Sequence, residues 1–137
     1  MVKLLVSFFL ALSATLASAQ EVKVVYHITT DIDTVAAAMS NIQNHLSADP
    51  KVKIVVVTNG PGIDFLIADA KDSKGREFSG VVSDLAGQGV EFRVCNNTLV
   101  SRNLDPDSLL METRLVPSGV AEAARLQIRE GFAYLKP

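Results

Sequence analysis

The segment Val52 to Thr58 carries Ile54-Val55-Val56-Val57, four β-branched apolar residues in succession with no polar residue between them. Neighbouring side chains of an extended chain point to opposite faces, so such a run belongs to a strand covered on both sides, as in the interior of a parallel sheet. A sheet with one face in water would alternate, and this segment does not. Parallel neighbours need a crossover connection, and the preceding sequence supplies one. Val22-Lys23-Val24-Val25-Tyr26-His27-Ile28 reads as a strand. After it Ile32, Val35, Ala36, Met39, Ile42 and Leu46 recur three and four apart, with Asp31 placed to cap a helix and Asp49-Pro50 to stop it.

The same alternation continues. Asn59-Gly60-Pro61-Gly62 is a tight turn, since it lacks the lysine and the spacing of a phosphate-binding loop. Ile63 to Ala70 predicts a short helix, Asp69 to Glu77 a solvated charged loop, and Phe78 to Ala86 a helix with Val81, Val82 and Leu85 on one side. Val90 to Cys95 predicts a third strand, and Asn96-Asn97-Thr98-Leu99 opens a helix that Asp105-Pro106-Asp107 breaks. Thr113 to Val116 reads as a short strand. Ser118 to Arg129 reads as a helix with Val120, Ala124, Gln127 and Ile128 along one side, Gln127 being either buried or part of a subunit contact. Gly131 stops it before a last strand in Phe132 to Leu135. This order predicts an α/β fold: a three-layer α/β/α sandwich around a mainly parallel five-stranded sheet with right-handed crossovers.

Residues 1 to 19, MVKLLVSFFLALSATLASA, have one positive charge at Lys3, an apolar run from Leu4 to Leu12 and the small residues Ala17-Ser18-Ala19. That is the layout of a secretory signal peptide, cleaved after Ala19, which leaves one domain at 20–137. The expected location is periplasmic or secreted. The apolar run is short of the roughly 20 residues that span a bilayer, so no membrane association is expected after cleavage. With 48% hydrophobic and 20% charged residues, the chain is neither a disordered tail nor a disulfide-stapled miniprotein. A net charge of −2, no tryptophan and few aromatics leave no footprint for nucleic acid.

In open parallel sheets, ligands bind beyond the carboxyl ends of the strands. His27, Asn59, Cys95 and Ser118 all fall at such ends in this reading, on one rim. Cys95 is the single cysteine, in a compartment where thiols usually pair. It immediately precedes Asn96, Asn97 and Thr98, a helix start whose unpaired N–H groups favour an anion and would lower a thiol pKa. Cys95 is therefore a candidate nucleophile, against the alternative of an inert thiol packed in the core, because one residue of register turns the side chain over. His27 is a candidate proton carrier or a histidine hydrogen-bonded for structural reasons. His45 fits a surface or dipole-compensating role near a helix end. No His, Cys and Asp set has the spacing of a metal site, and no cofactor is expected. Asn96-Asn97-Thr98 formally matches a glycosylation sequon.

VVYHI at 24–28, VVVTNGPG at 55–62, GVEFRVCNNTL at 89–99 and VPSGVAEAARLQIREGFAYLKP at 116–137, in that order, resemble the DsrE/DsrF-like family in its branch of small exported bacterial members. The cysteine segment and the C-terminal segment carry the specific part of the likeness. The resemblance implies a flavodoxin-like sandwich assembled as homotrimers or homohexamers. It also implies that Cys95 matches the cysteine that receives and passes on sulfane sulfur as a persulfide, with a donor or acceptor protein or small molecule as partner. An exported chain departs from cytoplasmic relay members in the partners it meets.

Three functions are thus open. The first is a persulfide carrier or sulfurtransferase-like protein, which needs Cys95 ionised and open to solvent at the strand-to-helix junction. The second is a non-catalytic oligomeric binding module holding a small anionic ligand on Asn59, Asn96 and Ser118. The third is a redox sensor joined by an intermolecular Cys95 disulfide.

Overall fold

The structure, a computed structural model, describes residues 19–137. The expected signal peptide, residues 1 to 19, lies outside them apart from its last residue. Five strands, β1 (Lys23–Ile28), β2 (Lys53–Thr58), β3 (Glu91–Cys95), β4 (Thr113–Val116) and β5 (Ala133–Leu135), form one all-parallel sheet in the order β4-β3-β2-β1-β5. Between them run α1 (Ile32–Ala48), α2 (Ser79–Gly87), α3 (Asn96–Ser101) and α4 (Gly119–Glu130).

Strand alternation divides the core in two. Val24, Tyr26, Ile28, Ile54, Val56, Phe92 and Val94 point to the face covered by α1, α2 and the segment 60–66. Val25, Val55 and Val57 point to the other, where Leu126 of α4 and Phe132 meet them. The run 54–57 is completely buried, as its composition requires. One face thus carries most of the connections, and among the described residues α4 alone crosses the other on its way from β4 at one edge to β5 at the opposite edge.

The ends of α1 follow the local chemistry. Asp31 accepts the Asp33 N–H at 3.1 Å as N-cap, and Val35, Ala38, Met39, Ile42 and Leu46 form the buried side. His45, expected at the surface or against the helix dipole, is instead half-buried, and its Nδ1 lies 2.9 Å from the Tyr26 hydroxyl. That hydroxyl belongs to a tyrosine buried in the sheet, and it meets a partner where it emerges.

Three other expectations change. The short helix expected at Ile63 to Ala70 is a 3-10 helix, Gly60–Leu66. Pro61 presets its first turn, and Gly62 passes so close to β1 that a Cβ there would lie 2.1 Å from the Ile28 carbonyl oxygen. The loop 69–77 is charged and mostly exposed, but Asp72 within it is buried. Its carboxylate accepts the backbone N–H groups of Lys74 and Arg76, each at 2.9 Å, and pairs with the Arg76 side chain.

The third change is at α4. The side marked by Val120, Ala124, Gln127 and Ile128 faces away from the sheet, with Ile128 87% exposed. Gly119, Ala123 and Leu126, equally spaced three and four apart, form the buried row. Two interleaved rows fit the helical period, and the smaller side chains let the helix lie close to the strands.

An ion network fixes α4 to β3. Arg93, 8% exposed, lies on the α4 face of β3 and pairs with Glu122 of α4 and, at 2.5 Å, with Glu91. Glu122 also takes Arg125 at 2.9 Å, and Arg125 reaches Glu130 at 2.6 Å. Hydrogen bonds from Arg125, opposed by burial and reinforced by Arg93, hold the Glu122 carboxyl down at about 2. A carboxyl depressed in the folded state stabilises at neutral pH, and that contribution disappears as pH falls from the usual carboxylate range through about 2. Glu122→Gln leaves Arg93 buried with Glu91 alone. We expect a loss on the order of 3 kcal/mol at pH 7, shrinking toward acid, measured by urea unfolding at both pH values.

Candidate functional site

Because all five strands are parallel, their carboxyl ends lie on one rim, and hydrogen bonds tie the segments leaving them together. Ile28 O accepts the Asn59 N–H at 3.4 Å. The Gly60 N–H donates to Thr98 Oγ1 at 3.0 Å, and the Asn97 N–H donates to Pro117 O at 3.3 Å. The ends of the first four strands are therefore laced side by side.

Cys95 is both the last residue of β3 and the N-cap of α3. Its side chain is on the α4 face, where Gly119 opens α4. A Cβ at Gly119 would stand 3.2 Å from the Cβ of Cys95, 3.2 Å from that of Asn59 and 3.1 Å from Thr58 O. A side chain here would require these neighbours to give way by a few tenths of an ångström. The junction with a helix start is present as expected, but the open sulfur is not, for Cys95 is 5% exposed. Burial by itself would raise the thiol pKa. The Thr98 hydroxyl and the N–H groups of Gly119, Thr98 and Asn97 outweigh it and hold the thiol below its ordinary value. Thr98 is well placed for this, since its oxygen already accepts from Gly60 and its own O–H remains free to donate.

His27, buried near the end of β1, contacts neither Cys95 nor its helix through a hydrogen bond. Its Nε2 lies 2.5 Å from Asn59 Oδ1, and its Nδ1 lies 2.8 Å from the Tyr134 hydroxyl of β5. A carbonyl oxygen can only accept, so Nε2 donates to Asn59, while Nδ1 and the Tyr134 hydroxyl share the second hydrogen bond. Asn59 is thereby fixed between His27 and Gly119, on the side next to Cys95. Ser118 caps α4, its Oγ accepting the Ala121 N–H at 3.3 Å. Asn96 is half-buried, Asn97 is exposed and Thr98 is buried. The structure thus brings Cys95, Thr98, Asn59 and the start of α4 together, and places His27 one residue further away.

Sequence reasoning missed Gly119, Tyr134 and Arg102. Gly119 had a signal, a glycine directly after a capping serine where helices seldom want one. Arg102 had one as well, since Cys95, Thr98 and Arg102 are spaced three and four apart. Tyr134 had none: its partner is 107 residues away in the chain.

The DsrE/DsrF-like family model matches residues 7–137. The chain belongs to the DsrE/DsrF-like family. Among solved structures, the protein of unknown function MTH1491 from Methanobacterium thermoautotrophicum is 39% identical, with a TM-score of 0.77, over 85% of this chain and 100% of that one. The ychN protein from E. coli shares the fold at 10% identity, with a TM-score of 0.66, over 86% of this chain and 98% of that one. No curated protein matches. The DsrE-like fold expected from the resemblance is therefore present, with the sheet parallel throughout.

If the rim holds the thiolate as described, the rate of Cys95 alkylation by iodoacetamide rises with pH through a midpoint below that of an ordinary thiol. Thr98→Val, which keeps the shape and removes the hydroxyl, is expected to move that midpoint up, and Thr98→Ser to restore it. A midpoint unmoved by Thr98→Val would mean that the hydroxyl does not act on the sulfur.

Proposed function

We propose that this DsrE-like chain is an exported sulfur carrier that holds sulfane sulfur on Cys95 as a persulfide. Family membership supports a sulfur-relay role. The observation that carries the reading is the Cys95 environment, in which one hydroxyl and three backbone N–H groups favour the ionised sulfur strongly enough to overcome its burial. A thiolate is the nucleophile toward a sulfane-sulfur donor, and the same donors would stabilise the persulfide anion. Asn96, Asn97 and Ser118 flank the sulfur on the segments that supply those N–H groups. His27 acts in this reading through Asn59, keeping that side chain against the start of α4. Export rests on the n-region, h-region and A-x-A pattern of residues 1 to 19.

The burial of Cys95 to 5% exposure favours a second reading, the non-catalytic binding module in which the thiol packs and the rim holds a small anion. It also disfavours the intermolecular disulfide of a redox sensor, which requires two such sulfurs to meet. Mass spectrometry separates the readings. After incubation with polysulfide or thiosulfate the wild type should gain about 32 Da, one sulfur, and Cys95→Ser should gain nothing. Equal labelling of both, or complete protection of native Cys95 from alkylation, would favour the binding module.

A homo-oligomer, trimer or hexamer, belongs to the same proposal. The outward row of α4 supports it, because Val120 is 61% and Ile128 87% exposed, beside the exposed Ala124 and a shallow groove lined by Ala121, Ala124 and Ile128 and rimmed by Arg125 and Arg129. A helix that buries one apolar row on its own sheet and shows a second to water is suited to meet another copy. Sedimentation velocity should show an assembly that Ile128→Asp shifts toward monomer. A monomeric wild type would contradict it.

A further inference from the structure

Cys95 and Arg102 are the N-cap and C-cap of α3; Thr98 and Arg102, one helical turn apart, face the beginning of the 3-10 helix, while the Cys95 side chain lies behind Thr98 on the α4 face. A groove of about 310 Å³ separates the two, lined by Gly60, Pro61, Asp64, Thr98, Ser101 and Arg102. The Arg102 guanidinium is drawn in over it. Nη1 donates to Asp64 Oδ1 at 2.6 Å and to Gly60 O at 3.3 Å. Among the described residues, Nε and Nη2 have no partner, which leaves the paired edge of the fork available. That edge is the one that binds carboxylate, sulfonate or phosphate oxygens two at a time.

Thr98 joins this groove to the thiol. It lines the groove, its oxygen holds the Gly60 N–H, and its hydroxyl serves the Cys95 sulfur on the other side. The Thr98 side chain is therefore the wall shared by groove and sulfur. A second groove beside the cysteine, about 270 Å³ and lined by Asn96, Leu115, Val116 and Pro117, has no cation. The two openings differ in chemistry, and only the first is suited to an anion.

We infer that the Arg102 groove is the entry site for a small sulfane-sulfur oxyanion of the thiosulfate or thiosulfonate class, with Arg102 holding the oxygens while the outer sulfur reaches Cys95. This rests on the persulfide reading above. With thiosulfate, the Cys95 thiolate attacks the outer sulfur and a new S–S bond forms. The bond from that sulfur to the SO₃ group breaks, its electron pair leaving with sulfite. The products are the Cys95 persulfide anion and SO₃²⁻, so charge and electrons balance with no added oxidant or reductant. Arg102 faces the oxygens that carry charge both before and after the transfer. Asp64 is the internal competitor that holds the guanidinium until a ligand arrives.

The test compares alkylation of Cys95 in the full chain by iodoacetate, an anion, and iodoacetamide, its neutral counterpart. Arg102→Gln should lower the iodoacetate-to-iodoacetamide rate ratio about tenfold, the scale of one charge-assisted hydrogen-bonded contact. Arg102→Lys should retain part of the ratio and Asp64→Asn should raise it. Lys51→Gln, which removes an exposed cation just before β2 at the opposite end of the strands, should leave it unchanged. In parallel, Arg102→Gln should raise the KM for thiosulfate in sulfite release while sparing persulfide formation from neutral organic trisulfide donors. An unchanged ratio in Arg102→Gln, an equal fall in Lys51→Gln, or a thiol inert to both reagents would overturn the inference. If no donor yields a persulfide in the wild type while the Arg102→Gln ratio still falls, the anion groove stands and the persulfide reading fails.

Discussion

The position of α4 is the constraint on which the rest of this structure depends. With the strands ordered β4-β3-β2-β1-β5, the chain must return from one edge of the sheet to the other after β4, and among the described residues α4 is the element that makes that journey and covers that face. Val25, Val55 and Val57 would otherwise meet water. Close approach is set by Gly119, Ala123 and Leu126, and lateral position by the Arg93–Glu122 pair between strand and helix. Such a pair contributes little net stability against an apolar substitute of the same shape, but it is costly to break from one side and so defines where the helix sits.

The functional rim inherits that placement. The helix starts against Thr58, Asn59 and Cys95, and its first N–H groups become part of the sulfur's surroundings. Two opposed effects meet there. Desolvation disfavours the thiolate, while oriented donors that need no reorganisation favour it. The donors prevail at this site, and the thiol lies below its ordinary pKa although it is shielded from bulk solvent.

Much of this was visible along the chain. The unbroken apolar run 54–57, the spacing of α1 and the strand-to-helix junction at Cys95 each express a local rule, and each appears in the structure where the rule places it. The misreadings share a cause. At α4 two rows satisfied the same period, and the choice between them depends on which one the sheet can approach. At 60–66 a proline and a close-packed glycine tightened the turn into a 3-10 helix, a consequence of the Ile28 carbonyl on the neighbouring strand. At His45 the decisive partner was the Tyr26 hydroxyl, 19 residues earlier.

Local sequence was therefore sufficient for the fold class, the parallel sheet and the cysteine at a helix start, because periodicity, capping and burial act between residues a few positions apart. It could not give the exposure of that cysteine, the chain from Tyr134 through His27 to Asn59, or the groove shared by Thr98 and Arg102. Those depend on strand order and on the depth at which α4 settles. They join residues 30 to more than 100 positions apart, and only the packed sheet decides which of these become neighbours.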